Sequence, residues 1–404
     1  MSRLFHPFAF LPVALLAVLY CGLWSHALNA QSGAKAHPAA APVPLEPAAP
    51  ASPQVQPDGT AIFRLAMPNA MKVELHLEGV KDPFAMTRGP DGRWSVAVPK
   101  LAPQYYSYSF KVDGTDVLDP HNVTLKTSFF STQNIFLVPG HPPRLWETAD
   151  VPHGVIHHHY YRSKIVGINS EYYVYTPPGF DPGSKQEYPV LYLLHGYSDD
   201  PSAWTGMGKA NVILDNLIAQ GKAKPMIVVM PLGYGTMEVI TRGWIAWQDP
   251  ELVRRNYARF ADALFQEVMP RVKRRYPLSD KREEHAVAGL SMGGAESLLV
   301  GLNHPDDFAY VAGFSAAPLG SQHGYESSFP GITVQSAPGI NARLRVFWVA
   351  CGTEDGLFGG NQKFIAWLKE KGLNPTAVQT PGMHVWMVWR DNLSNFLPLL
   401  FQSE

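Results

Sequence analysis

The chain has 404 residues, 46% of them apolar and 17% charged, with a formal net charge of −1. That length exceeds what one hydrophobic core usually supports, so at least two folded units are expected, and the composition excludes a disordered chain. No basic excess argues for a nucleic-acid partner, and no acidic tract argues for a basic one.

Residues 1–30 read as a signal peptide. Arg3 gives a positive start, Phe8 to Trp24 is an apolar run broken by Pro12 and Gly22, and Ala27 and Ala30 close it with small residues. The run is too short and interrupted to span a membrane comfortably, so a secreted or periplasmic chain without a membrane anchor is expected. Cys21 leaves with the leader and Cys351 stands alone, so packing rather than a disulfide must supply stability. Residues 31–57, mostly Ala and Pro, read as a linker.

Residues 58–140 read as short strands parted by turns. Val73-Glu74-Leu75-His76-Leu77 alternates, Pro90-Asp91-Gly92 turns, and Trp94 to Val98 alternates again. Tyr106, Tyr108 and Phe110 then share one face of a strand and are expected in a core, with Asp113-Gly114 following as a hairpin turn. Such texture predicts a small β-sandwich. The segment RWSVAVPKLAPQYYSYSFKVDGTDVLDP is similar to the immunoglobulin-like, family 48 carbohydrate-binding modules. The likeness implies either a polysaccharide-holding module or one that packs beside an active site.

From about Val151 to residue 404 the texture changes. Apolar runs at Pro189–Leu194, Ile227–Met230, Ala286–Ala288 and Val346–Ala350 read as strands buried on both faces. Between them, Asn256 to Tyr276 carries Phe260, Leu264, Val268 and Val272 at helical spacing. Strands alternating with helices predict an α/β-hydrolase domain, doubly wound around a mostly parallel sheet.

Gly289-Leu290-Ser291-Met292-Gly293 is a G-x-S-x-G sequence between a predicted strand and a predicted helix. That context forces the serine onto a strained turn at a helix N-terminus, where backbone N–H groups favour a developing oxyanion. A serine hydroxyl needs a base, and the base an orienting acid, in the chain order Ser, Asp or Glu, His. Asp355 follows a late strand and is the candidate acid, with Glu354 the neighbour that could replace it. His384, in the loop Pro381–His384 before the last helix, is the candidate base. The loop His195-Gly196-Tyr197 matches the usual supplier of the second oxyanion donor, so the N–H groups of Tyr197 and Met292 are expected to form the hole. His195 is expected to prop that loop.

The motifs LLHGYSDDPSAW, AVAGLSMGGAESL, ACGTEDGLF and GMHVWMVWR resemble family 1 carbohydrate esterases over about Pro152 to Phe401. That group includes feruloyl and acetyl xylan esterases, with siderophore (enterobactin-type) esterases close in sequence. The resemblance implies Ser291 as nucleophile, Asp355 as acid and His384 as base, acting on a small or polysaccharide-linked ester, feruloyl esters first. Feruloyl esterases often show more glycine in this loop than Gly196-Tyr197-Ser198 offers, so Tyr197 is expected to narrow or line the acyl site. Trp244 and Trp247, in a loop after a parallel strand, are candidates to stack an aromatic acyl group or a sugar. No cofactor or metal is implied: His157-His158-His159 alternate faces on a strand and cannot share one ion. A competing reading is a silent carbohydrate-binding protein on the same scaffold.

Overall fold

The computed structural model describes residues 51–317 and 324–402; the expected signal peptide and residues 31–50 of the expected linker lie outside them. In the N-terminal β region two antiparallel sheets face each other. One orders Gln54–Val55, Ala61–Ala66, Arg93–Val98 and Thr87–Arg88. The other orders Phe84–Ala85, Val73–Leu77, Gln104–Val112, Thr132–Val138 and Leu125–Thr127, with Thr115–Val117 returning along Gln104–Val112. Alternation puts Phe63 and Leu65 of the first sheet against Leu75, Tyr108 and Phe110 of the second in one buried cluster. Tyr106 joins them, so the alternating aromatics are core. Asp113 and Gly114 both have positive φ, as a two-residue hairpin turn requires.

The strand Gln54–Val55 corrects the expected boundary at Asp58. It already pairs with Ala61 and Ile62, and the Ser52 hydroxyl donates to buried Asp119 at 2.7 Å. Two residues carry no alternation to read, so composition alone hid this start.

The α/β region holds β1 (Val155–Arg162), β2 (Asn169–Thr176), β3 (Val190–Leu194), β4 (Ile227–Pro231), β5 (His285–Leu290), β6 (Tyr310–Phe314), β7 (Val346–Gly352) and β8 (Thr376–Thr380). Their spatial order is 1-2-4-3-5-6-7-8. β1, β2 and β4 pair antiparallel, and every pair from β4 across to β8 is parallel. β3, β4 and β6 are buried along their whole length, which is why β3 and β4 read as continuous apolar runs; β6 was not among the expected strands. Buried clusters cover both sheet faces, one including Phe260 and Leu264, the other Trp204 and Phe396.

The helical stretch expected from Asn256 begins earlier, at Pro250, where the Asp249 carboxylate accepts from the Leu252 N–H at 3.0 Å. Residues spaced by four on an α-helix drift about 40° per step. A wider π turn at Leu264–Val268 takes up that drift, and Phe260, Leu264, Val268 and Val272 all stay buried.

The β region and the α/β region share packing. Ile135 and Trp146 join the cluster around Trp204 and Trp386. Arg390, fully buried on helix Trp386–Phe396, donates to the Met207 carbonyl at 2.9 Å and to the Gln104 side chain of the β region. Its guanidinium lies 5.6 Å from the Trp146 ring and 5.7 Å from Tyr105, and burial draws its pKa down to about 10.

Candidate active site

β5 ends at Leu290 and the helix Ser291–Asn303 starts at once, with Ser291 at φ +52°. A side chain in that left-handed region costs about 1–2 kcal/mol, so the surroundings must hold it. They do so through missing side chains. A Cβ on Gly293 would stand 2.6 Å from the Leu194 carbonyl oxygen, and one on Gly289 2.8 Å from the same atom. The glycines therefore let the turn press against the end of β3.

The base and acid arrive from the far ends of β7 and β8. His384 Nε2 lies 3.0 Å from Ser291 Oγ, and His384 Nδ1 lies 2.7 Å from Asp355 Oδ2. The chain is satisfied when Ser291 donates to Nε2 and Nδ1–H donates to the carboxylate. Asp355 is buried, which alone would raise its pKa, but the hydrogen bond and charge of His384 and the Leu357 N–H outweigh burial and hold it below the usual value. Glu354, the alternative acid, is exposed, and its N–H donates to the Gly382 carbonyl at 3.0 Å. The structure brings together Ser291, His384 and Asp355 and leaves Glu354 out.

Met292 is the second residue of its helix, so its N–H has no acceptor within the helix. Across from it, the His195–Asp199 loop is braced from several sides. His195 is buried; its Nε2 accepts from the Gly233 N–H at 2.9 Å and its Nδ1 lies 2.8 Å from the Gly196 carbonyl. It props the loop as expected of it. The Tyr197 hydroxyl donates to the Val239 carbonyl at 2.6 Å, anchoring the ring.

A wall of rings follows. Tyr197 stands edge-on to Trp244 at 4.8 Å and to Trp247 at 5.2 Å, and Trp244 is 68% exposed at the mouth. The same wall continues into the β region, where Phe130 stands 5.5 Å from Tyr197. These residues were separated in sequence, and Tyr197, Trp244 and Trp247 were candidates; nothing local marked Phe130. The cavity that Tyr197, Trp244 and Trp247 border measures about 1760 Å³ and also meets Ser291, His384, Glu78 and Lys81. It exceeds the ~300–1,000 Å³ common for one small ligand, so both sides of an ester fit.

The β region also grips the His195–Asp199 loop directly. The Phe129 N–H donates to the carbonyl of Ser198 at 2.7 Å, and Ser198 itself has φ +72°. Lys126 pairs with Asp199 at 3.1 Å, both side chains largely buried. Asp200 forms a local turn, its carboxylate accepting from the Ser202 N–H and hydroxyl. Asp199 is an inter-region ion-pair partner, whose pKa burial raises and Lys126 partly restrains.

Five residues past Ser291, Glu296 is buried with neither carboxyl oxygen hydrogen-bonded among the described residues. Burial holds its pKa well above the usual carboxylate value, favouring the neutral form. The three consecutive histidines take separate partners, His157 with Thr176, His158 with Glu171 and His159 with Tyr276.

Residues 163–400 match the Esterase family, described as "Putative esterase". An endo-1,4-beta-xylanase/feruloyl esterase of Xylanibacter ruminicola is 29% identical over 359 residues, 87% of this chain and 46% of that protein. The chain thus spans about half the length of that relative. A ferulic acid esterase of Anaeromyces mucronatus, solved with ferulic acid, superposes with a TM-score of 0.54 at 25% identity, covering 63% of this chain and 93% of its own. The enterobactin esterase of Shigella flexneri gives a TM-score of 0.61 at 19% identity, covering 84% of this chain and 92% of its own, and so shares the fold more widely.

Proposed function

The chain belongs to the Esterase family, and from that premise we propose that it is an exported serine carboxylic ester hydrolase acting on feruloyl esters of plant-wall polysaccharide. One observation carries the proposal: the Ser291–His384–Asp355 chain of contacts at 3.0 and 2.7 Å, set on a strand-to-helix turn.

The chemistry follows from those contacts. Ser291 Oγ attacks the ester carbonyl while its proton passes to His384 Nε2. The imidazolium is stabilised by Asp355, and the oxyanion by the N–H groups of Tyr197 and Met292. The C–O bond to the alcohol then breaks, and the alcohol leaves with the proton from His384. Water, deprotonated by His384, attacks the acyl-enzyme, and the acid departs as Ser291 recovers its proton. Tyr197, Trp244 and Trp247 offer edges and faces suited to a planar hydroxycinnamoyl ring, and the similarity to a xylanase/feruloyl esterase and to a ferulic acid esterase supports that acyl class. In this reading the β region is an immunoglobulin-like module resembling family 48 carbohydrate-binding modules, and the N-terminus directs export.

A panel of methyl ferulate, p-nitrophenyl acetate, acetylated xylan and a triscatecholate lactone tests the reading. Highest kcat/KM on methyl ferulate supports it. Preference for acetylated xylan makes the enzyme an acetyl xylan esterase, preference for the lactone a siderophore esterase, and no hydrolysis at all leaves a binding protein.

A further inference from the structure

The β region reaches the catalytic apparatus a second time, at the opposite side from the oxyanion loop. Glu78 directly follows the strand Val73–Leu77. Its backbone N–H donates to the Ser107 carbonyl at 2.9 Å, and its Oε2 accepts from the Ser107 N–H at 3.1 Å and hydroxyl at 2.9 Å. Held this way, the carboxylate extends Oε1 to the Trp386 N–H at 2.9 Å, across 308 residues of sequence.

Trp386 is the first residue of the helix Trp386–Phe396, and His384 lies two residues before it. The opening N–H groups of a helix have no acceptor inside it, and a side chain just ahead usually supplies one. Here the residue ahead is Val385, extended and unable to accept through its side chain. Glu78 fills that role from another part of the fold, and its negative charge suits the positive end of the helix. On the other side of His384, the Val385 N–H closes a turn onto the Met383 carbonyl at 3.0 Å. His384 is thus gripped between a tight turn and a capped helix, with its ring edge-on to Trp389 at 4.8 Å.

Resting on the esterase reading above, we infer that Glu78 is a positioning residue for His384, capping the helix that follows the base and so fixing the imidazole toward Ser291. The charged groups near the same loop have other engagements or stand apart. Asp355 holds His384, Arg390 is bound to Gln104 and Met207, and Glu354 and Lys81 line the cavity. Without Glu78 the Trp386 N–H loses its acceptor and the first turn of the helix loosens. The aromatic wall is untouched.

The test compares full-length E78A and E78M with wild type on methyl ferulate. Methionine fills the space without offering a comparable acceptor, so it reports on capping if the alanine variant folds poorly. A misplaced catalytic group costs up to about a hundredfold, so kcat should fall roughly 10- to 100-fold with KM within about threefold. The downfield proton resonance of His384 Nδ1–H should broaden or vanish. F63L, a cavity in the β-region core, serves as a structural control; at a similar loss of Tm it should keep kcat within about twofold of wild type. A folded E78A or E78M with unchanged kcat overturns the inference, as does an equal kcat loss in F63L. If wild type hydrolyses no ester, or Ser291→Ala does not abolish hydrolysis, the esterase reading itself fails, which is a separable result.

Discussion

The turn bearing Ser291 and the loops that serve it are held by different means. The turn is fixed by glycines within a few residues of Ser291 pressing on the end of β3, all inside the α/β region. The His195–Asp199 loop and the helix after His384 are instead tied to the β region, the loop through Lys126 and Phe129 and the helix through Glu78. A nucleophile needs a strained but local backbone, which short-range sterics can impose. Placing two loops from distant strands around it needs long-range anchors, and here a second folded region supplies them.

The largest effect should come from the local side of that comparison. Ser291→Ala should lower kcat by about 10⁵- to 10⁶-fold with little change in thermal midpoint, since only the attacking oxygen is lost. A serine-directed phosphonate should label wild type at this residue alone; labelling elsewhere in the alanine variant would sink the assignment.

Next is the acid. Asp355→Asn should cost about 10⁴-fold in kcat, because the amide favours the wrong imidazole tautomer and cannot stabilise the imidazolium. Glu354→Gln, at an exposed residue outside the Ser291–His384–Asp355 hydrogen bonds, should stay within about threefold of wild type. Comparable losses at both positions would leave the acid unassigned.

The anchored side is probed by Lys126→Met. Removing one partner of a largely buried pair leaves Asp199 uncompensated, and about 2–4 kcal/mol of stability should be lost at neutral pH. The sign with pH is fixed by Asp199. Burial already raises its native pKa, so the folded state holds a proton that the unfolded state has released above pH ~4. Stability therefore falls as pH rises from there through the native value. Loss of Lys126 raises that value further, so the variant's deficit should be larger at pH 8 than at pH 5. Urea melts at the two pH values measure this, and a deficit independent of pH would mean the pair is not what matters.

Smallest is Phe130→Ala. The ring does not line the cavity but packs edge-on against Tyr197, which does, so KM for methyl ferulate should rise about three- to tenfold while KM for p-nitrophenyl acetate stays constant. Equal changes on both esters would show that Phe130 acts on the loop rather than on the acyl group.

The elements that were legible in sequence share one property. β3 and β4 announced themselves because burial on both faces demands apolar residues at every position, whereas β6, equally buried, was missed. The turn at Ser291 was legible because its close contacts admit only glycine at particular offsets. Asp355 and His384 followed from chain order, since β7 and β8 must deliver their loops to the same sheet edge. Misjudged features had weak local signals: a two-residue first strand and a helix whose start rests on one capping aspartate. Glu296 gave no signal either, because a glutamate on a helix usually faces water.

Sequence alone therefore determined the α/β architecture, the strand-to-helix turn and the residues that meet on it, because each depends on periodicity or on spacing within one segment. Tertiary structure decided that the β region belongs to the active site at all. Lys126, Phe130 and Glu78 are ordinary strand and loop residues, and they become partners of Asp199, Tyr197 and Trp386 only when two separately patterned regions pack together. Hydrogen bonds and ion pairs need atoms within about 3–4 Å, and no local pattern records which distant residues folding will bring that close.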